Sequence, residues 1–216
     1  MPKNRYDSQI FRVDGKNCFF EVLNSAFPIG KVQMNFVEYD EKTKKQTKKI
    51  ELYVDVKRAL VLANDIITGE FAEIVKKAKA EGKFNGSPVN SYTSYFIDMG
   101  GVNEEKVKSN FEKYSKEYPW IKEGMALSRQ FKIQVGTKYP WVLRGEVSPG
   151  ESNETGLIAP KGKTETAINI PVTDEDFKAF AHMINMHLHA YYAHVYNTYH
   201  KELFPNEKIN VYKHSK

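Results

Sequence analysis

An α+β fold with antiparallel sheets is predicted by two observations. The spacing of apolar residues changes from every second position to every third or fourth twice along the chain, and each change falls at a good helix start. The chain therefore reads as two related β-β-β-α units, over residues 17–82 and 125–204, with helices packed on one face of the strands. Residues 83–124 read as a connector and 205–216 as a tail, all within a single compact domain of 1–216. A chain of 216 residues, 41% hydrophobic and 27% charged, has the composition of a folded domain and not that of a disordered one.

The elements follow in order. Asn17 to Leu23 form an apolar and aromatic run read as a strand, and Phe27-Pro28-Ile29-Gly30 breaks it, because Pro cannot donate to a ladder and Gly accepts unusual dihedrals. Val32, Met34 and Phe36 alternate with Gln33 and Asn35, and Ile50, Leu52 and Val54 alternate with Glu51 and Tyr53, the period of half-buried strands. Residues 40–49 between them are polar throughout and read as a hairpin loop. Asp55 is a good N-cap for a helix whose apolar positions Val56, Ala59, Leu60, Ala63 and Ile67 run to Gly69. Helical spacing resumes at Phe71, Ile74, Val75 and Ala78 and stops at Gly82. In the connector, Tyr92 to Met99 read as a strand and 103–122 as a short helix running into a loop.

The second half repeats the change of period. Phe131, Ile133 and Val135 alternate with Lys132 and Gln134, Tyr139 to Val147 follow, and Ala167 to Val172 make a third strand. Residues 148–164, rich in Gly and Pro, read as a long loop. Thr173 with Asp176 three residues on makes a capping box for a long helix carrying Phe177, Phe180, Ala181, Ile184, Leu188, Tyr191, Val195 and Tyr199 on one side and ending near Phe204-Pro205.

The chemistry of catalysis is largely missing from this sequence. One cysteine, Cys18, excludes an intrachain disulfide and points to a reducing compartment. Met1-Pro2-Lys3-Asn4-Arg5 is not followed by the apolar core of a signal peptide, and no apolar stretch is long enough to span a bilayer, so a cytoplasmic protein without membrane contact is expected. No phosphate-binding Gly-rich motif and no nucleophile elbow occurs. His182, His187, His189, His194 and His200 miss the spacing of three or four that chelation from one helix requires. A nuclease pairing of Asp98 with Glu104-Glu105-Lys106 is interrupted by Gly100-Gly101. No catalytic residue, metal ligand or cofactor is predicted.

What the sequence offers is a surface. If the alternating apolar positions face the helices, parity sets Gln33, Asn35, Tyr39, Lys49, Tyr53, Gln130, Lys132, Gln134 and Arg144 on the opposite side. Cations for phosphates, amides for base edges and phenol rings for unstacked bases make the mixture that single-stranded nucleic acid requires. Tyr139 and Trp141 beside Arg144, the Lys-rich hairpin, and Lys161 and Lys163 in the long loop extend this footprint. The net charge of +5 permits an anionic partner. The competing readings are a protein–protein adaptor, whose rings dock a partner and whose lysines only solubilise, and, third, a metal-dependent nuclease.

Strands followed by a helix, twice over, resemble the Whirly and positive-cofactor-four fold of single-stranded DNA-binding proteins. Phe19-Phe20-Glu21-Val22, the helix entry from Val54-Asp55-Val56-Lys57-Arg58 to Ile66, Ser128-Arg129 with Phe131-Lys132, and Gly145 to Pro160 with Glu154-Thr155-Gly156 are similar to small proteins of bacteriophages and conjugative elements. The resemblance implies a homo-oligomer that binds single-stranded DNA, or RNA, with little sequence preference during replication or transfer of a mobile element. It carries nucleic-acid contacts to Lys31, Lys49, Tyr53, Arg129, Lys132 and Arg144, while Glu38, Glu51 and Glu146 depart from the pattern and narrow the path.

Overall fold

In the computed structural model, which describes residues 8–203 apart from 155, the chain is α+β with antiparallel sheets. The expected tail of 205–216 lies outside the described residues. The first sheet is β1 (Gln9–Asp14), β2 (Cys18–Leu23), β3 (Lys31–Tyr39) and β4 (Gln46–Asp55), in that order. Helices α1 (Val56–Thr68) and α2 (Glu70–Glu81) follow, then a small hairpin of β5 (Lys83–Phe84) and β6 (Ser87–Pro88). The second sheet comprises β7 (Ser94–Val102), β8 (Ala126–Val135), β9 (Trp141–Ser152), β10 (Ile158–Pro160) and β11 (Thr166–Val172), with α3 (Glu104–Ser109) and α4 (Phe111–Glu117) between β7 and β8 and α5 (Asp174–Leu203) last.

Each half thus places four long strands ahead of its helix where the sequence pattern indicates three. The strand missing from the first expected unit is β1, an edge strand in which Ile10 alone is fully buried, so its apolar signal is thin. In the second half the extra strand is β7, which lies in the segment read as a connector and pairs along most of β8. Two loops are shorter than expected. Strand β4 begins at Gln46, so Lys48 and Lys49 are ladder residues, and the stretch 148–164 folds back as a hairpin in which β10 pairs with the end of β9.

The alternation within the strands holds. Val32, Met34, Phe36, Ile50, Val54, Phe131 and Ile133 are completely buried. The helices do not cover this apolar side alone, because the two sheets also close on each other. Phe20 stacks with Phe131 at 6.2 Å, Phe36 meets Phe131 at 6.2 Å, and Phe180 of α5 reaches Phe11, Phe20 and Phe131. Glycine at 145 permits this approach, since a Cβ there would lie 2.7 Å from the Phe36 ring.

The helix ends match their sequence signals. The Asp55 carboxylate accepts the Lys57 amide at 2.9 Å, and Gly69 takes a left-handed conformation between α1 and α2. At α5 the capping box forms: the Asp176 amide donates to Thr173 Oγ1 at 3.1 Å and the Thr173 hydroxyl donates to Asp176 Oδ2 at 2.7 Å. Among the described residues no helix is long and apolar enough to cross a membrane.

Candidate nucleic-acid interface

Because the sheets meet through their apolar sides, their polar sides turn away from each other. Gln33, Asn35, Lys49 and Tyr53 belong to the outer side of the first sheet, and Gln130, Lys132, Gln134 and Arg144 to that of the second. The single continuous polar face expected from parity is therefore not formed. Parity sorts residues within a sheet and carries no information on how two sheets stack.

Most of the predicted contacts are also engaged internally. Asn35 is only 2% exposed and donates to Glu21 Oε1 at 2.9 Å, while Gln33 bonds both Asn35 and Ser25. Lys132 and Arg144 both pair with Glu146, and Arg144 also donates to Asn169 at 2.7 Å. Burial alone would raise the Glu146 carboxyl, but the bonds from Lys132 and Arg144 outweigh it and hold the group below the usual carboxylate range. Lys49 pairs with Glu51 and Lys48 with Glu38. Glu38, Glu51 and Glu146 thus hold lysines or arginines of these strands.

The remaining positions are scattered. Gln134 donates to the Tyr92 carbonyl and to Ser94, fastening the start of β7. Trp141 is buried, stacks on Phe177 at 4.6 Å and donates its indole N–H to Asp174 at 2.7 Å, so this ring anchors α5 and is not an open platform. Tyr139 is exposed in the β8–β9 turn, Lys161 pairs with Glu151 at 3.1 Å, and Lys163 is exposed nearby. Tyr39 lies under the Lys44 ammonium at the far end of β3, and its hydroxyl donates to the Lys16 carbonyl.

Three predicted residues do converge. Lys31, Tyr53 and Arg129 line a cleft of about 360 Å³ where β4, the edge of the first sheet, faces β7, the edge of the second. Register explains their meeting. Lys31 begins β3 beside Asp55 and pairs with it at 3.4 Å. Arg129 sits on the apolar parity of β8, opposite Gly100, and therefore points between the sheets instead of outward with Lys132. Its guanidinium donates to the Glu51 carbonyl at 3.3 Å and lies over the Tyr118 ring. Tyr53, 44% exposed, forms one wall. Gly100 leaves the opposite side open, with nothing within 4 Å of where a Cβ would be.

Sequence reasoning missed two members of this cleft. Arg58, in the first turn of α1, pairs with Asp98 at 2.6 Å, donates to the Ile97 carbonyl at 2.7 Å and lies over the Phe96 ring. The available signal was a cation one turn beyond a strand end, off the apolar stripe of its helix. Asp98, which the sequence offers as a metal ligand beside Glu104, pairs with Arg58, and Glu104 accepts from the Ser152 amide and hydroxyl. Since the Ile97 carbonyl points toward α1, alternation along the edge strand turns the backbone of Met99 and Gly101 the same way.

The acids of the cleft differ. The Lys57 amide and Lys31 hold the Asp55 carboxyl below its ordinary value, whereas burial pushes Asp98 up despite Arg58. Among the described residues no three His, Cys, Asp or Glu gather into a metal-binding group. No protein-family model, curated protein or solved structure matches this chain.

Proposed function

We propose that this protein binds single-stranded DNA with little sequence preference, and that the β4–β7 cleft receives it. The convergence of Lys31, Arg58 and Arg129 around the exposed Tyr53 ring carries this reading. Phosphates lie against the three cations, an unstacked base lies on Tyr53 or against Met99, and the open edge of β7 supplies backbone donors. Stacking contributes roughly 1–3 kcal/mol per base and requires no particular base edge, which gives sequence tolerance. The internally paired Lys132 and Arg144 are secondary in this scheme. The resemblance to Whirly-type proteins of phages and mobile elements supports the same substrate, and it suggests replication or transfer as the setting and a homo-oligomer as the working form.

Titration of a fluorescent oligothymidylate at two salt concentrations tests the proposal. Affinity should fall as salt rises, with a logarithmic slope of about 0.7 per neutralised phosphate. Absence of binding at low salt, or binding indifferent to salt, rejects it.

Asp98 gives the site a pH dependence of defined sign. Its raised pKa makes it the first acid of the cleft to take up a proton as pH falls, while the lowered pKa of Asp55 keeps that group ionised. Loss of one negative charge favours a polyanion, so affinity should rise as pH falls from neutrality into the acid range, and this rise should begin above the pH at which an ordinary aspartate takes up its proton. Asp98→Asn should tighten binding about fivefold at neutral pH, from roughly 1 kcal/mol of removed repulsion, and flatten this profile. Weaker binding by the variant, or an unchanged profile, counts against Asp98 facing the ligand.

A further inference from the structure

We infer that the polyanion path continues beyond the cleft, along the outward edge of β4 and into a groove against α4 that Lys113 and Lys116 complete. This rests on the cleft being a single-strand site. The groove, about 440 Å³, is lined by Lys48 and Lys49 of β4 and by Lys113 and Lys116 of α4, with Glu51 and Glu117 as its acids. No reading of the sequence assigned a role to the two α4 lysines, which stand in the segment taken as a connector.

Two contacts put groove and cleft on one line. The Glu51 carbonyl accepts from Arg129, and the Lys49 carbonyl accepts from the Tyr118 hydroxyl at 3.4 Å. Residues 49, 51 and 53 have the same parity, so these carbonyls belong to the free edge of β4, the edge on which Tyr53 enters the cleft. Glu51 lines the groove and Arg129 lines the cleft, so the Arg129 bond to the Glu51 carbonyl joins the two cavities. Along this edge stand Lys31, Arg58, Arg129, Lys48, Lys49, Lys113 and Lys116 against Asp55, Asp98, Glu51 and Glu117, with Glu38 and Glu112 pairing Lys48 at 2.9 Å and Lys116 at 2.7 Å from outside the cavities, so that a phosphate shares these two cations with surface carboxylates. Ten residues of β4 at about 3.3 Å each span roughly 33 Å. That distance matches about ten stacked nucleotides, and fewer if the strand is stretched.

The consequence is length-dependent recognition. A short oligonucleotide fills the cleft alone, and a longer one engages α4 as well. The double variant Lys113→Ala/Lys116→Ala should bind an oligothymidylate of about 4 nucleotides as the native chain does. It should bind one of about 12 nucleotides roughly tenfold more weakly, with a salt slope lower by about 1.4, because two phosphate contacts are lost. Lys113→Arg/Lys116→Arg should restore both values, and circular dichroism of each variant checks that α4 persists. If the alanine variant binds the longer oligonucleotide with native affinity and slope while Lys31→Ala/Arg58→Ala loses binding, the groove inference is overturned and the cleft stands. If the native protein binds neither length, both fall.

Discussion

Alanine at both Lys31 and Arg58 is expected to weaken single-stranded DNA binding about 10- to 100-fold at low salt. Each side chain contributes a charge-assisted contact of roughly 1.5 kcal/mol or somewhat less where water screens it. Both line the cleft, and each already has a carboxylate partner, Asp55 and Asp98, which must share its cation with the incoming phosphate. The salt slope should fall by about 1.4 as two phosphates go unneutralised. That slope is the decisive readout, because Arg58→Ala also leaves the half-buried Asp98 without its ion pair and lowers stability. A destabilised but folded protein keeps its slope, and a protein without its phosphate contacts does not. Native affinity and slope in the double variant would place the ligand elsewhere.

Phe131→Ala should destabilise the fold by about 3–5 kcal/mol, a large part of the roughly 5–15 kcal/mol available to a domain. Phe131 is fully buried and touches Phe20 and Phe36 of the first sheet, Phe96 of the second and Phe180 of α5. Its removal opens a cavity where the two sheets and the last helix meet, and none of these rigid elements can collapse to fill it. Urea unfolding measures the effect as a lower midpoint at unchanged slope. A loss below about 1 kcal/mol would mean that the sheets do not close on this ring. Phe131→Leu, which keeps most of the volume, should recover most of the stability.

Both expectations depend on how the halves meet, and here local pattern and tertiary structure part. The alternation in β3, β4 and β8 could be read directly because a half-buried strand must sort its residues by side. The caps at Asp55 and Thr173 were legible because a helix end requires a short polar side chain at that point. Strand β1 escaped notice because it lies at an edge and buries little. Strand β7 is legible in part, but its place beside β8 depends on pairing across the intervening chain of residues 103–125, which no local pattern encodes.

Short-range periodicity and the hydrogen-bond demand of helix ends are enough to specify the α+β class, the buried side of each central strand and the starts of the helices. The stacking of the two apolar faces on each other emerges from the packed molecule alone, and it turns Lys132 and Arg144 away from Lys49 and sends Arg129 inward to Lys31, Tyr53 and Arg58. Side-chain parity is a property of one strand, whereas a cleft between sheet edges arises from the angle and register at which two sheets pack.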